Sequence, residues 1–245
     1  MNSIQRVAIV TGSSRGIGRA TALRLADNGF AVVVNYVGSV DRADEVVRTI
    51  IDKGGQAIAV RADVAEEGEV VAMFDAAEAA FGGIDVVVNV AGRMVLGSLM
   101  DYDLDELDAT YRTNIRGTYI VDQQAARRVR SGGAIINFST SVTRTSFPNY
   151  SAYVASKAAV EGITLILARE LRGRDITVNS VGPGPTATDL FFNGKTPEQI
   201  EGSAKAVPLE RLGEPEDIAE TVAFLASPAG HWINGQNIKA NGALA

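Results

Sequence analysis

Tyr153 and Lys157 stand four residues apart in the segment YSAYVASKAAV (150–160). On a helix that spacing puts both side chains on one face, one turn apart. A free tyrosine titrates near ~10, so its phenol is a poor base at neutral pH. An ammonium held one turn away favours the phenolate. The pair is a candidate proton-transfer site, an acid in one direction of a reaction and a base in the other. The same spacing also describes an amphipathic helix with a solvated lysine, and the rest of the chain must separate the two.

A second segment with chemical potential is AIVTGSSRGIGRA (8–20), where Gly12, Gly16 and Gly18 are spaced G-x-x-x-G-x-G. The spacing differs from the dinucleotide fingerprint G-x-G-x-x-G, but the physics is shared. Glycine permits a tight turn and lets the backbone approach a pyrophosphate, and the following helix offers unpaired N–H groups to the anion. The plainer alternative is an ordinary strand-to-helix turn.

Composition limits what else the chain can do. Its 245 residues suit one α/β domain, and 46% apolar content fills a large core. With 23 Lys and Arg against 29 Asp and Glu the net charge is −6, which gives no electrostatic case for nucleic acid or an anionic membrane. The basic cluster ARRVR (126–130) reads as the solvated end of a long helix. The absence of cysteine removes disulfides, a thiolate nucleophile and thiolate metal sites. A single histidine, His231, excludes a multi-histidine metal cluster, and no metal site is expected. A Ser-His-Asp hydrolase would need His231 itself, which beside Trp232 reads as a packed or interface residue. The start MNSIQRVAIV runs into a strand without the apolar core of a signal peptide, and no run approaches membrane-spanning length, so a soluble cytoplasmic protein is expected.

The positioning elements follow from periodicity. Unbroken apolar runs predict strands at 6–10, 31–36, 57–63, 85–92, 134–139, 176–181 and 236–240. Helical period predicts helices at 16–28, 41–53, 66–81, 104–130, 150–172 and 215–227. Strands apolar throughout indicate a parallel sheet covered on both faces. Their alternation with helices predicts a single α/β domain over 1–245, a doubly wound, Rossmann-like parallel sheet of about seven strands. The Gly-, Pro- and Thr-rich stretch 184–212 reads as a mobile substrate lid. Phe147, Tyr150, Phe191 and Phe192, near loops, read as packing residues that could instead line a pocket.

Six motifs in order resemble the short-chain dehydrogenase/reductase family, and most closely its 3-oxoacyl-carrier-protein reductase and glucose dehydrogenase branch. TGSSRGIG (11–18) matches the cofactor turn, DV (63–64) the adenine-contacting pair, and NVAG (89–92) the Asn-Asn-Ala-Gly signature with Val90 replacing one Asn. Asn114 stands where the family keeps a helix asparagine, YVASK (153–157) matches its Tyr-x-x-x-Lys, and PGPTATD (183–189) its nicotinamide-contacting segment.

The resemblance implies hydride transfer between a nicotinamide and a carbonyl/secondary-alcohol pair. Tyr153 would be the acid/base, and Lys157 would lower its pKa together with the positive nicotinamide while binding the ribose hydroxyls. Asn114 would hold a proton-relay water. The family supplies a carbonyl-polarising serine thirteen positions before the tyrosine, where this chain has Thr140; Ser141 is the alternative, and Ser139 reads as a strand-end hydroxyl bonded to backbone. Cofactor contacts are implied for Gly12, Ser14, Arg15, Gly16, Ile17 and Gly18 in the turn, and for Asn35 and Tyr36 after the second strand. They are implied likewise for Asp63 and Val64, for Asn89, Ala91 and Gly92, and for Pro183, Gly184, Thr186 and Thr188, beside Tyr153 and Lys157. Asp63 and Thr188 could alternatively be helix caps.

No acidic residue follows the second strand to repel a 2′-phosphate, and Arg15 can pair with one, assisted by Ser39 and Arg42. NADP(H) is therefore favoured over NAD(H), although Val37 stands where relatives often carry a second Arg. The family implies a homotetramer or homodimer, with AAVEGITLILARELRG (158–173) apolar enough to pack on both sheet and partner. A small-molecule or thioester carbonyl substrate would be chosen by loops 93–100, 142–151 and 184–206, which the sequence leaves unread. A catalytically silent nucleotide-binding regulator, and an epimerase or dehydratase, are the competing readings.

Overall fold

The computed structural model describes residues 5–245; the first four, counted in the expected domain, lie outside the described residues. Seven strands form one sheet in the order β3-β2-β1-β4-β5-β6-β7, with every pairing parallel. They are β1 (Val7–Thr11), β2 (Ala31–Tyr36), β3 (Ala57–Arg61), β4 (Ile84–Asn89), β5 (Val129–Phe138), β6 (Thr177–Pro183) and β7 (Asn237–Ala240). Side chains alternate across a strand, so both faces need cover. Ala8 and Val10 face one layer, made by α1 (Gly16–Asp27), α2 (Val40–Asp52) and α10 (Pro215–Leu225). Ile9 faces the other, made by α3 (Glu67–Phe81), α5 (Thr118–Arg128) and α7 (Ser151–Glu170). A single reversal of order places β1 beside β4, and ligands of open α/β sheets bind at such a switch point, beyond the carboxyl ends of the strands.

Four expectations are corrected. The long helix is interrupted: α4 (Leu104–Tyr111) widens into a π-helical segment, Arg112–Gly117, before α5. In the cluster at 126–130 Arg127 is exposed as expected, but Arg128 and Arg130 are paired, because carboxylates of α3 and the start of β4 face them. Arg128 bonds Glu78 through Nη2 at 2.6 Å and also Asp75, and Arg130 Nε bonds Asp85 at 3.0 Å. β5 accordingly begins at Val129, five residues early. α7 does have the length and apolarity of a membrane span, with a mean hydropathy of 1.3, because a helix that packs on a sheet needs the same residues. It packs on β5 and β6 here, while Leu165 and Ile166, with Tyr119 of α5, stay exposed. The stretch 184–212 carries two helices, α8 (Asp189–Phe192) and α9 (Pro197–Ala206), and a further turn, α6 (Val142–Thr145), follows β5. His231 is partly buried and paired with Asp175 at 2.8 Å, whereas Trp232 is exposed.

One buried acid makes the fold sensitive to pH. Asp122 of α5 is 3% exposed and accepts from Asn137 Nδ2 at 2.8 Å, leaving Asp122 Oδ1 and Asn137 Oδ1 without donors. Burial pushes the carboxyl up to about 7, against the weaker opposing pull of Asn137. A folded value above the unfolded one means the native state holds the proton more tightly. That stabilisation is complete below the ordinary carboxylate value near ~4 and is lost as pH rises to about 7. Asp122→Asn removes this dependence. Urea unfolding at pH 5 and pH 8 should show the wild type losing on the order of 3 kcal/mol more than the variant across that interval; parallel pH profiles would contradict the assignment.

Candidate active site

The carboxyl ends of β1, β2, β4, β5 and β6 open on one cleft of about 770 Å³, lined by the glycine turn, Tyr36, Asp63, Ala91, Thr140, Tyr153, Lys157 and the 183–189 segment. Its near wall exists because of glycine. Gly12 has φ 62°, and a Cβ there would lie 3.0 Å from Ala91 Cα, while a Cβ on Gly18 would lie 2.4 Å from the Gly12 carbonyl oxygen. Helix α1 therefore starts directly behind the turn, its first amides turned to the cleft. This glycine-built cradle and the cleft's length fit a dinucleotide, which Gly12, Ser14, Arg15, Gly16 and Ile17 would hold at the turn. The Arg15 guanidinium is exposed and makes no ion pair among the described residues.

Three of the asparagines expected at the site brace it from behind. Asn35, 1% exposed, accepts from the Gly12 N–H at 3.0 Å and donates to the Ala62 carbonyl at 3.0 Å. Its amide is thus committed to the turn, while Asn35 and Tyr36 both border the cleft. Asn89 is outside the lining: its Oδ1 accepts from Thr11 Oγ1 at 3.1 Å, and Thr11 Oγ1 accepts from the Ala91 N–H at 3.0 Å, which ties β1 to the loop after β4. Asn114 sits in the π-helical segment with its side chain turned away from the cleft. Its Nδ2 donates to the Arg93 carbonyl at 2.9 Å and to Ser156 Oγ at 3.0 Å, and its Oδ1 accepts from the Arg93 N–H at 2.9 Å. Both Asn114 amide hydrogens are thus used, while Oδ1 keeps a second acceptor site. Asp63 caps neither helix: its carboxylate accepts from the Ala65 N–H at 3.0 Å and pairs with Arg112 at 2.9 Å while still bordering the cleft beside Val64. Burial alone would raise that carboxyl; the Ala65 and Arg112 contacts outweigh it and hold it below its ordinary value. Thr188 is a true N-cap of α8, accepting from the Phe191 N–H at 3.2 Å, and it also lines the cleft with Pro183, Gly184 and Thr186.

The reactive groups stand at the far wall. Lys157 is 4% exposed and donates to the Phe138 carbonyl at 2.8 Å, leaving two of its N–H bonds for the cleft. Burial lowers it to about 8, so it still carries charge at neutral pH. Its nitrogen lies 5.9 Å from the centre of the Tyr153 ring. Burial pushes the Tyr153 phenol up to about 12, against a hydrogen bond with Thr140 that pulls it down; Tyr150 adds a small upward push. In the protein without cofactor, desolvation of the phenolate outweighs the Thr140 hydrogen bond. A phenol at about 12 is fully protonated at pH 7 and ready to donate.

Hydrogen bonding decides between the two hydroxyls, which both border the cleft beyond the end of β5. Ser141 Oγ is engaged with the sheet: it donates to the Gly182 carbonyl at 3.2 Å and accepts from Asn241 Nδ2 at 2.9 Å. Thr140 faces Tyr153. The loops and α8 add Met94, Val142, Phe147, Tyr150, Phe191 and Leu244 to the lining. Phe147, Tyr150 and Phe191 thus line the cleft, whereas Phe192 packs edge-on against Phe191 with ring centres 5.7 Å apart.

The sequence is matched over residues 12–244 by a family model described as enoyl-(acyl carrier protein) reductase. It is 47% identical to a short-chain type dehydrogenase/reductase of Picea abies over 97% of this chain and 91% of that protein. It is 45% identical to an NADPH-dependent aldehyde reductase-like chloroplastic protein of Arabidopsis thaliana, covering 97% and 93% of the two chains. Among solved structures it resembles a short-chain dehydrogenase of Burkholderia cenocepacia in complex with NADP, at 40% identity and a TM-score of 0.93 over 99% of each chain.

Proposed function

This chain belongs to the short-chain dehydrogenase/reductase family of oxidoreductases, and on that premise we propose that it is an NADPH-dependent reductase of uncharged apolar ketones and aldehydes. The observation that carries this reading is the convergence on the cleft of Tyr153, Thr140 and, one helical turn along α7, the buried Lys157. The bound nicotinamide supplies the hydride. The carbonyl oxygen accepts a hydrogen bond from Thr140 Oγ1, which polarises it, and takes its proton from Tyr153 Oη as negative charge develops. Lys157 stabilises the resulting phenolate and directs its remaining N–H bonds toward the ribose hydroxyls. Phe138 fixes the lysine through its carbonyl. The Ser156–Asn114–Arg93 chain fixes the helix that carries both groups.

The lining supports the substrate class. Met94, Phe147, Tyr150, Phe191 and Leu244 surround the reacting end with apolar surface, and among the described residues Lys157 is the cation of the lining there. That favours a free apolar carbonyl over a thioester on an acidic carrier protein, which remains the second reading on the strength of the matched family model. A silent regulator would have no need of a buried lysine aimed at a protonated phenol.

Tyr153→Phe should keep NADPH binding within a factor of two and lower turnover of benzil, an uncharged aromatic diketone, by on the order of 10²–10⁴-fold. Turnover near that of the wild type, followed by nicotinamide absorbance, would overturn the assignment of the acid.

The cofactor preference rests on Arg15, unpaired at the turn, and on the absence of a carboxylate from the end of β2; the NADP complex of the similar Burkholderia protein supports it. Arg42, the assisting cation, is 3.4 Å from Asp189, an exposed and loose pair that a phosphate can displace. Arg15→Ala should weaken NADPH binding about 10–100-fold, the scale of one charge-assisted hydrogen bond, and leave NADH unchanged. Fluorescence titration with both reduced cofactors reads this directly, and equal losses for the two would contradict it.

A further inference from the structure

The helix that carries Tyr153 and Lys157 carries a third polar residue on the same face. Glu161 follows Lys157 by one more turn, so the three form a row about 12 Å long down α7. Glu161 does not reach the cleft. Its Oε1 gathers three donors: Ser139 Oγ at 2.5 Å, Thr143 Oγ1 at 3.0 Å and Lys239 Nζ at 3.3 Å. Lys239 comes from β7, the last strand, and also donates to the Thr140 carbonyl at 3.0 Å and to Thr143 Oγ1 at 3.2 Å. Both ionic side chains are largely buried, at 20% and 18% exposure. Burial alone would raise the Glu161 carboxyl; the Ser139 bond and the Lys239 charge outweigh it and hold it below its ordinary value.

The surroundings are fitted to this pair. Gly182 lies opposite Lys239 in the β6–β7 ladder, and a Cβ on it would lie 2.9 Å from Lys239 Cδ. The absent side chain lets Lys239 fold across β6 to reach the Thr140 carbonyl. Backbone bonds secure the residues on either side, from the Ser139 N–H to the Val181 carbonyl at 2.8 Å and from the Ser141 N–H to the Pro183 carbonyl at 2.9 Å. Between them the Thr140 carbonyl accepts from Lys239 Nζ at 3.0 Å and from Thr143 Oγ1 at 2.9 Å, itself a Lys239 contact, and Thr140 presents its hydroxyl to Tyr153. A solvated salt bridge would have no such geometry, and a buried pair kept only for stability is a poor bargain against apolar packing.

We propose that Glu161 and Lys239 are positioning residues that clamp residues 139–143, so that the Thr140 hydroxyl is held at the carbonyl-binding position beside Tyr153. The proposal rests on the reading of Thr140 as the polarising hydroxyl. It makes the outer strand β7 part of the active-site support, through a contact to the main chain of Thr140.

The test is a double-mutant cycle with benzil and NADPH. Lys239→Met should lower kcat about 10–100-fold, the scale of a misplacement of about 1 Å, with the NADPH dissociation constant changed less than twofold. Lys239→Arg should restore most of the loss. In a Thr140→Ala background Lys239→Met should cost nothing further, because the clamp acts through Thr140. The same fall in both backgrounds, or unchanged kcat in the single variant, would overturn the proposal. Glu161→Gln, which keeps the acceptor for Ser139 and Thr143 but loses the charge, should reproduce the pattern at smaller amplitude, and its full activity would likewise count against the clamp. Crystal structures of the wild type and Lys239→Met separate this from the functional reading. If wild type reduces no benzil, that reading of the substrate fails, while a Thr140 hydroxyl displaced from Tyr153 in the variant upholds the clamp and an undisplaced one overturns it.

Discussion

All seven strands of the sheet end on the same edge, and everything chemical in this protein depends on that constraint. A parallel sheet forces each connection back across a face, so helices bury both sides and the chain's loops are sorted to two rims. At the carboxyl rim the order reverses between β1 and β4, and the two connections leave in opposite directions. The gap this leaves is the cleft. The glycine turn after β1, the NVAG loop after β4, the hydroxyls after β5 and the Pro-Gly segment after β6 converge there because they have no other rim to occupy.

What the rim brings together, buried polar groups hold still. Asn35 secures the glycine turn, Thr11 and Asn89 join the first and fourth strands, and Asn114 ties the loop after β4 to α7. Each uses a side-chain amide or hydroxyl to satisfy backbone that the irregular loops leave without partners. The site is stiff for that reason. The reacting pair stands in a desolvated wall, where burial keeps the phenol protonated and brings the lysine toward neutrality without reaching it. Those opposite movements suit a proton donor backed by a cation.

The sheet was legible in the sequence because buried parallel strands read as unbroken runs such as AVVVNY and DVVVNV, and because glycines close the helices between them. The π-helical turn at 112–117 was not, since its residues fit a helical period as well as any; only Gly117 and Asn114, polar or small on an otherwise apolar face, hint at a close approach. The start of β5 was hidden by RSGG, whose extended form is fixed by ion pairs from distant elements. Tyr153, Lys157 and the glycine turn were readable because their spacing is local. Thr140 could be placed only by counting, and the bonds of Ser141 Oγ to Gly182 and Asn241 decided it over Ser141. Glu161 and Lys239 left no trace, because their partnership is set by the β6–β7 register across 78 residues of chain. The asparagines read as site residues were recognised by position, but position does not say which way an amide points.

The central claim is that hydride passes from NADPH to a carbonyl held beside Tyr153. The most direct measurement uses NADPH carrying two deuteriums at the nicotinamide C4 position, with benzil as acceptor and mass spectrometry of the alcohol formed. The account predicts one deuterium on the carbinol carbon for each NADP⁺ produced. An alcohol without deuterium, or deuterated NADPH left unoxidised by benzil and by a wider panel of apolar ketones and aldehydes, would contradict it.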